Sequence, residues 1–216
     1  MGVGLVETAM NLTRLCLFDK PEFILFVGTA GSYGDHKIFD IIESKTAANI
    51  ELAFLQNKAY TPLDNVVTTN TEGTKDVVVN SSNYISTDAE LTKNFLKFGV
   101  GIENMEFFSV LRIAQEFDIP AGGVFCVTNY TNIEAHADFL ANHEKAKELL
   151  SAHVKKRLEE LTKWHQAVHT YETDYIRLYK TSRMAVVQRC FFRQTSRGGR
   201  AAMFILHSHQ TKSNPT

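Results

Sequence analysis

The chain has 216 residues, of which 44% are hydrophobic and 22% charged, with a formal net charge of -1. Those values suit one folded α/β domain of ordinary size with a sizeable core, and exclude a disordered chain or a disulfide-stapled miniprotein. No apolar run approaches the roughly 20 residues of a spanning helix, and no basic stretch followed by an apolar segment opens the chain, so a cytoplasmic protein is expected.

Taken in order, Met10 to Leu17 reads as a helix that Asp19, Lys20 and Pro21 end. Phe23 to Val27 is an unbroken apolar run of the kind that forms a central parallel strand. It enters Gly28, Thr29, Ala30, Gly31, Ser32, Tyr33 and Gly34, where the glycines mark a turn. Ile38 to Ile42, Ile50 to Leu55, Val77 to Val79 and Gly123 to Val127 read as further strands, and Asp88 to Phe98 and Met105 to Phe117 carry helical periodicity. Residues 56 to 76, rich in Asn, Thr and Asp, read as an irregular excursion. Strands alternating with helices imply a doubly wound, mixed but largely parallel α/β sheet flanked by helices. From Ala135 to Lys163 the chain is crowded with Ala, Leu, Glu and Lys, and Leu149, Leu150, Val154, Leu158 and Leu161 form one apolar stripe. That is a long helix or helix pair docked on the body.

The end of the chain differs in charge. No Asp or Glu occurs from Tyr175 to Thr216, while eight Lys and Arg do, so residues 164 to 216 read as a basic extension beyond a body of residues 1 to 163. Val186 to Phe192 and Met203 to Leu206 are apolar interruptions in it. Cys16, Cys126 and Cys190 are odd in number and form no C-x-x-C pair, so they signal neither a disulfide framework nor a metal site.

Three stretches carry chemistry. Val27 to Gly34 offers backbone N–H groups and the Thr29 and Ser32 hydroxyls at a sheet's carboxyl edge, where open α/β sheets bind ligands, or else is a plain strand-to-loop turn. Gly101-Ile102-Glu103-Asn104-Met105-Glu106 introduces a helix whose buried face is Phe107, Phe108, Leu111 and Ala114. Its two carboxylates are either first-turn acids favoured by the helix dipole or site groups, and the adjoining phenylalanines argue against a solvated Glu106. Val124 to Tyr130 is a buried strand ending in Thr128-Asn129, an Asx turn or an amide facing the same crevice.

Together these stretches resemble the nucleoside phosphorylase and nucleosidase superfamily, whose members cleave N-glycosidic bonds on a mixed α/β sheet. Gly2 to Ala9 is similar to the Gly-x-Gly segment before the family's first core helix, and Val27 to Gly31 to its glycine turn. Tyr84-Ile85-Ser86-Thr87-Asp88 is similar to its Ser-x-Asp turn near the base, and Asn104-Met105-Glu106 to its Glu-Met-Glu motif. Thr128-Asn129 stands where the family has Ser-Asp, and Asn142 falls in a segment similar to the trimeric members' C-terminal helix.

The resemblance implies Asn129 and Glu106 as catalytic groups, Asn129 donating to N7 of the leaving base and Glu106 holding the ribose hydroxyls. It implies Met105, Asn104, Thr128, Tyr84 and Asp88 as substrate contacts, and Gly28, Thr29, Ala30 and Gly31 as the phosphate side. The family's usual N-terminal strand and phosphate Arg precede the segment with which this chain opens. The expected activity is phosphorolysis of purine nucleosides to free base and pentose 1-phosphate, with phosphate as co-substrate and no cofactor. The alternatives are a phosphate-independent nucleosidase of the methylthioadenosine/S-adenosylhomocysteine type and a non-catalytic nucleoside-binding member. The expected assembly is a homo-oligomer, with neither membrane nor nucleic acid as a partner.

Overall fold

Ten residues of continuous strand, Phe23–Ser32, form the centre of the computed structural model, which describes residues 2–70, 76–169 and 184–188 and side chains as far as residue 160. This strand, β1, lies parallel to Ala121–Tyr130 from Ile24↔Ala121 to Ser32↔Tyr130, with a register shift after Ala30. In chain order the remaining elements are α1 (Leu5–Asp19), β2 (Ile41–Ser44), β3 (Thr46–Ala48), α2 (Leu52–Leu55), β4 (Val66–Thr68) and β5 (Val78–Ser81). Then come α3 (Ala89–Thr92), a 3-10 turn (Lys93–Phe98), β6 (Val100–Asn104), α4 (Phe107–Glu116), β7 (Ala121–Tyr130), α5 (Ala135–His169) and β8 (Met184–Gln188). The sheet runs β2-β7-β1-β6-β5-β3-β4, and β8 pairs with the first half of β1. It is mixed: β1 meets β7 and β8 in parallel and β6 antiparallel.

Alternation along the strands assigns the two faces. Ile24 and Phe26 of β1, with Phe125 and Val127 of β7, point toward α1 and α4. Phe107, Val110, Leu111 and Ala114 of α4 recur at helical spacing and fill that layer. The Phe26, Phe107 and Phe125 rings meet at 5.0–5.7 Å between centroids. Gly123 makes that approach possible, because a Cβ there would stand 2.6 Å from Phe125 and 2.7 Å from Phe107. On the other face, Val27, Val124 and Cys126 are covered by Ala146 and Leu150 of α5, with Leu149 and Val154 alongside. The expected stripe of the long helix is thus the face that docks, with Leu161 lying outside the described side chains.

Several local expectations are corrected. The run Gly28 to Ser32 is not a turn but the second half of β1, buried and in register with β7. Ile50 to Leu55 is not a strand: Glu51 opens a single helical turn, and the strand in this region is β3, just before it. Ile38 and Phe39 precede β2, which begins only at Ile41. Residues 56–76 contain β4, paired antiparallel with β3. The helix expected from Met105 starts at Phe107, because the preceding residues, Val100–Asn104, extend as β6 between β1 and β5.

Candidate active site

At the carboxyl ends of β1 and β7 the sheet opens into a cavity of about 470 Å³. The start of α5 covers one side through Ala135, His136, Phe139 and Leu140, and Val3, Tyr84 and Ile85 close another. Its floor is the sheet itself. Thr29, Ala30 and Gly31 come from β1, Thr128 and Asn129 from β7, and Glu103, Asn104 and Met105 from β6 and the turn after it.

The register explains why these residues meet. Gly31 pairs with Asn129 on one side and with Glu103 on the other, and Glu103 pairs with Asn80 of β5. Paired residues share a face, so Asn129, Gly31, Glu103 and Asn80 form one row across four strands. Gly31 is the gap in that row. A Cβ on it would stand 2.9 Å from Asn129 Nδ2 and 3.4 Å from Glu103 Cγ.

Asn129 is held at both ends of its amide. Thr128 Oγ1 donates to its Oδ1 at 3.0 Å, and its Nδ2 donates to the Tyr130 carbonyl at 3.2 Å. Asn142 of α5 donates to the Thr128 carbonyl at 2.9 Å, so the cover helix is bonded to the strand end that presents the amide.

Glu103, 7% exposed, accepts from the Ser86 N–H at 3.0 Å on Oε1, and on Oε2 from the Ser86 hydroxyl at 2.7 Å and the Tyr33 hydroxyl at 2.9 Å. Burial pushes its carboxyl above the usual range, against the pull of these donors. Burial, and then the Glu103 charge, push the Tyr33 phenol well above 10, so Tyr33 stays a donor.

Glu106 is 1% exposed and does not line the cavity. Its carboxylate accepts from the Met105 N–H at 3.2 Å, the Gly4 N–H at 3.3 Å and Asn104 Nδ2 at 3.4 Å, directly behind the cavity wall. Asn104 also accepts from the Ser81 hydroxyl and the Phe107 N–H, which fixes the β6–α4 turn.

Of the residues singled out from sequence, Thr29, Ala30, Gly31, Tyr84, Asn104, Met105, Thr128 and Asn129 come together around the cavity. Gly28, Asp88 and Glu106 do not: the Glu106 carboxylate, expected on the ribose hydroxyls, is instead bonded to the Gly4, Met105 and Asn104 donors behind the wall. Gly28 lies one residue further down β1, and Asp88 caps α3, its side chain accepting from the Leu91 N–H at 3.0 Å. Glu103, His136, Phe139 and Leu140 line the cavity and were not among the expected contacts. Periodicity gave no signal for Glu103: all five residues of β6 are buried, and a register shift opposite Val78 and Val79 places Val100 in a different apolar cluster from Ile102.

A mixed sheet that opens at its carboxyl edge into a cavity floored by Asn129, Met105 and the buried Glu103 carboxylate has the layout of an α/β small-molecule site. The sequence matches the phosphorylase superfamily over residues 1–159, and the chain belongs to that family. Among solved structures it is similar to a mutant of the Helicobacter pylori 5′-methylthioadenosine/S-adenosylhomocysteine nucleosidase with 5′-methylthioadenosine in its active site. The TM-score is 0.63 and the identity 20%, covering 73% of this chain and 77% of the other. It is similar to a mutant of H. pylori futalosine hydrolase at TM-score 0.63 and 21% identity, over the same shares. A third is the S-adenosylhomocysteine nucleosidase of Streptococcus pyogenes in complex with 5-methylthiotubericidin, at TM-score 0.60 and 17% identity, covering 74% and 77%. No curated protein sequence matches the chain.

Proposed function

We propose that the chain is a hydrolytic purine nucleosidase, cleaving the N-glycosidic bond with water. The observation that carries this reading is the charge of the cavity. Among the described residues, its lining holds the Glu103 carboxylate and no Lys or Arg, with a second buried carboxylate, Glu106, just behind. A phosphate dianion brought into such a site meets the carboxylate with no Lys or Arg to offset it, His136 being the one basic side chain of the described lining, whereas a water molecule carries no charge to be repelled. The inclusion of Gly28 to Gly31 in a strand points the same way, because ladder residues leave fewer free N–H groups than an anion-binding turn. Relatives named as nucleosidases and hydrolases are consistent with it.

Breaking the bond builds positive charge on the sugar and negative charge on the base. On this reading Asn129 donates its remaining N–H to N7 of the departing base, and Met105 forms an apolar wall for the sugar. The carboxylate of Glu106 favours the developing oxocarbenium charge from behind that wall. Asn129 does not ionise, so it stabilises the leaving base by hydrogen bonding and not by proton donation. The Tyr84 and Ile85 edge of the mouth is apolar and exposed, which suits a second copy of the chain against it, in line with a homo-oligomer.

The test is release of free base from adenosine, inosine, guanosine and 5′-methylthioadenosine, with and without phosphate. Equal release in both conditions is expected. Release that requires phosphate and yields pentose 1-phosphate would replace this reading with phosphorolysis, and no release from any substrate would leave a binding protein.

A further inference from the structure

Tyr84 and Ile85 line the cavity and yet are 75% and 49% exposed, so packing does little to keep them there. They sit on the loop of residues 82–88, which joins β5 to α3. Both ends of the loop are tied. At its start the Ser82 N–H donates to the Asn104 carbonyl at 3.2 Å, and Asn83 Oδ1 accepts from the Leu5 N–H at 2.9 Å. At its end Asp88 caps α3. Among the described residues, the hydrogen bonds that join residues 84–87 to anything outside the loop are the two from Ser86 to Glu103. Ser86 presents its N–H to one carboxylate oxygen and its hydroxyl to the other, and both residues are buried beneath the exposed wall. Glu103 is the fixed member of this pair. It lies in β6, and its Oε2 also accepts from Tyr33, whose ring stacks on Phe95 at 4.4 Å and whose oxygen accepts from Asn80 Nδ2 at 3.4 Å. The Asn80 amide is in turn bonded at both ends to the Ile50 backbone, at 2.8 and 3.0 Å.

We propose that Glu103 is a positioning residue, whose carboxylate latches Ser86 and so holds the Tyr84–Ile85 wall against the cavity before a ligand arrives. The inference rests on the nucleosidase reading above and adds what keeps the mouth of that site in shape. Hydrogen bonds to a charged acceptor are stronger than neutral ones, and two of them from one residue fix direction as well as distance. A wall already ordered in the free protein costs the ligand no ordering on binding, so the latch acts on affinity and not on the bond-breaking step. Glu103 acts through Ser86, without touching the reacting atoms.

The experiment pairs steady-state kinetics on adenosine, inosine and 5′-methylthioadenosine with site-resolved amide hydrogen exchange of the free protein. It uses the full chain as wild type, Glu103→Met, Ser86→Ala, their double variant, and Ser86→Thr, which keeps the hydroxyl. Glu103→Met and Ser86→Ala should each raise KM by about ten-fold and lower kcat by less than about three-fold. The double variant should be no worse than Glu103→Met, because the same contact is lost, and Ser86→Thr should stay within about two-fold of the wild type. The Ser86 amide should exchange at least about ten-fold faster in Glu103→Met than in the wild type, while the amides of β1 and β7 keep their protection. An unprotected Ser86 amide in the wild type would overturn the proposal without any variant. So would two other results. A merely structural Glu103 loosens β1 and β7 along with Ser86, and a Glu103 that acts on the reacting atoms lowers kcat with KM held. If the chain cleaves none of the three nucleosides, their calorimetric Kd takes the place of KM. Latch-dependent Kd and exchange without cleavage sink the enzymatic reading and keep this one. Cleavage with KM indifferent to both residues does the reverse, and a wild type that neither cleaves nor binds any of the three sinks both.

Discussion

Replacing Gly31 by alanine adds one methyl group to the centre of the polar row. Its Cβ would lie 2.9 Å from Asn129 Nδ2, 3.4 Å from Glu103 Cγ and 3.6 Å from Thr131 Cγ2. The last two are tolerable contacts; the first is not, so Asn129 must move by a few tenths of an ångström. It has little room, because the Thr128 hydroxyl and the Tyr130 carbonyl hold its two ends. Giving up one of those bonds costs about 1 kcal/mol, and overpacking a closed site costs about 1–3 kcal/mol, so a total destabilisation of roughly 2–3 kcal/mol is expected. Activity should suffer more than stability. A catalytic group displaced by about 1 Å can lose roughly 100-fold, so a shift of a few tenths of an ångström should lower kcat/KM by about ten-fold. Urea denaturation followed by circular dichroism gives the first quantity, and base release gives the second. A Gly31→Ala protein with unchanged midpoint and unchanged kcat/KM would refute the row geometry, and with it the closeness of Asn129 to Glu103.

Three further outcomes follow from the buried groups. Glu106→Ala removes the acceptor of the Gly4, Met105 and Asn104 donors, and should destabilise by roughly 2–4 kcal/mol in urea while lowering kcat more than KM. A full-activity Glu106→Ala protein would end its electrostatic role. Because burial raises the Glu103 carboxyl in the folded state, its protonated form is favoured by folding, and the stability this contributes is complete below the unfolded pKa and lost as pH rises through the folded one. Relative to Glu103→Gln, the wild type should therefore gain in urea midpoint as pH falls from neutrality toward the ordinary carboxylate range, and an opposite slope would contradict the desolvated environment. The Cys126 thiol is pushed up to about 11 by burial and by the Asp40 charge, which leaves roughly one molecule in a thousand as thiolate near pH 8. Peptide mapping after iodoacetamide treatment of the native protein should find Cys126 unmodified, and modification without denaturant would show that α5 does not stay seated on β7.

The outline of the fold was legible wherever burial is apolar and periodic. Phe23 to Val27, the α4 face and the Leu149–Leu150 stripe read correctly because each buries hydrocarbon at the period of its element. The misread segments share a different cause. Gly28 to Ser32 looked like a turn because it holds two glycines, yet the second is where a side chain would strike Asn129, so that glycine reports a close approach within a strand and not a reversal of the chain. Val100–Asn104 does not read as a strand because Glu103 and Asn104 look solvated ahead of the helix, yet both are buried and bonded to partners about 17 and 23 residues away in sequence, Ser86 and Ser81. Such partners are invisible to any local pattern.

The same blindness applied to Glu103 as a site residue. On a helix, an acid two positions before a Met belongs to the first turn and to solvent. On a strand with Ile102 buried toward α4, it must face the other way, and that way lies the cavity. Site and strand were therefore one inference. Strict alternation from Val100 would not have shown it, because the register shift between Val100 and Ile102 sends those two side chains to different clusters. Local rules failed at the points where the protein departs from burying hydrocarbon, and those points enclose the cavity.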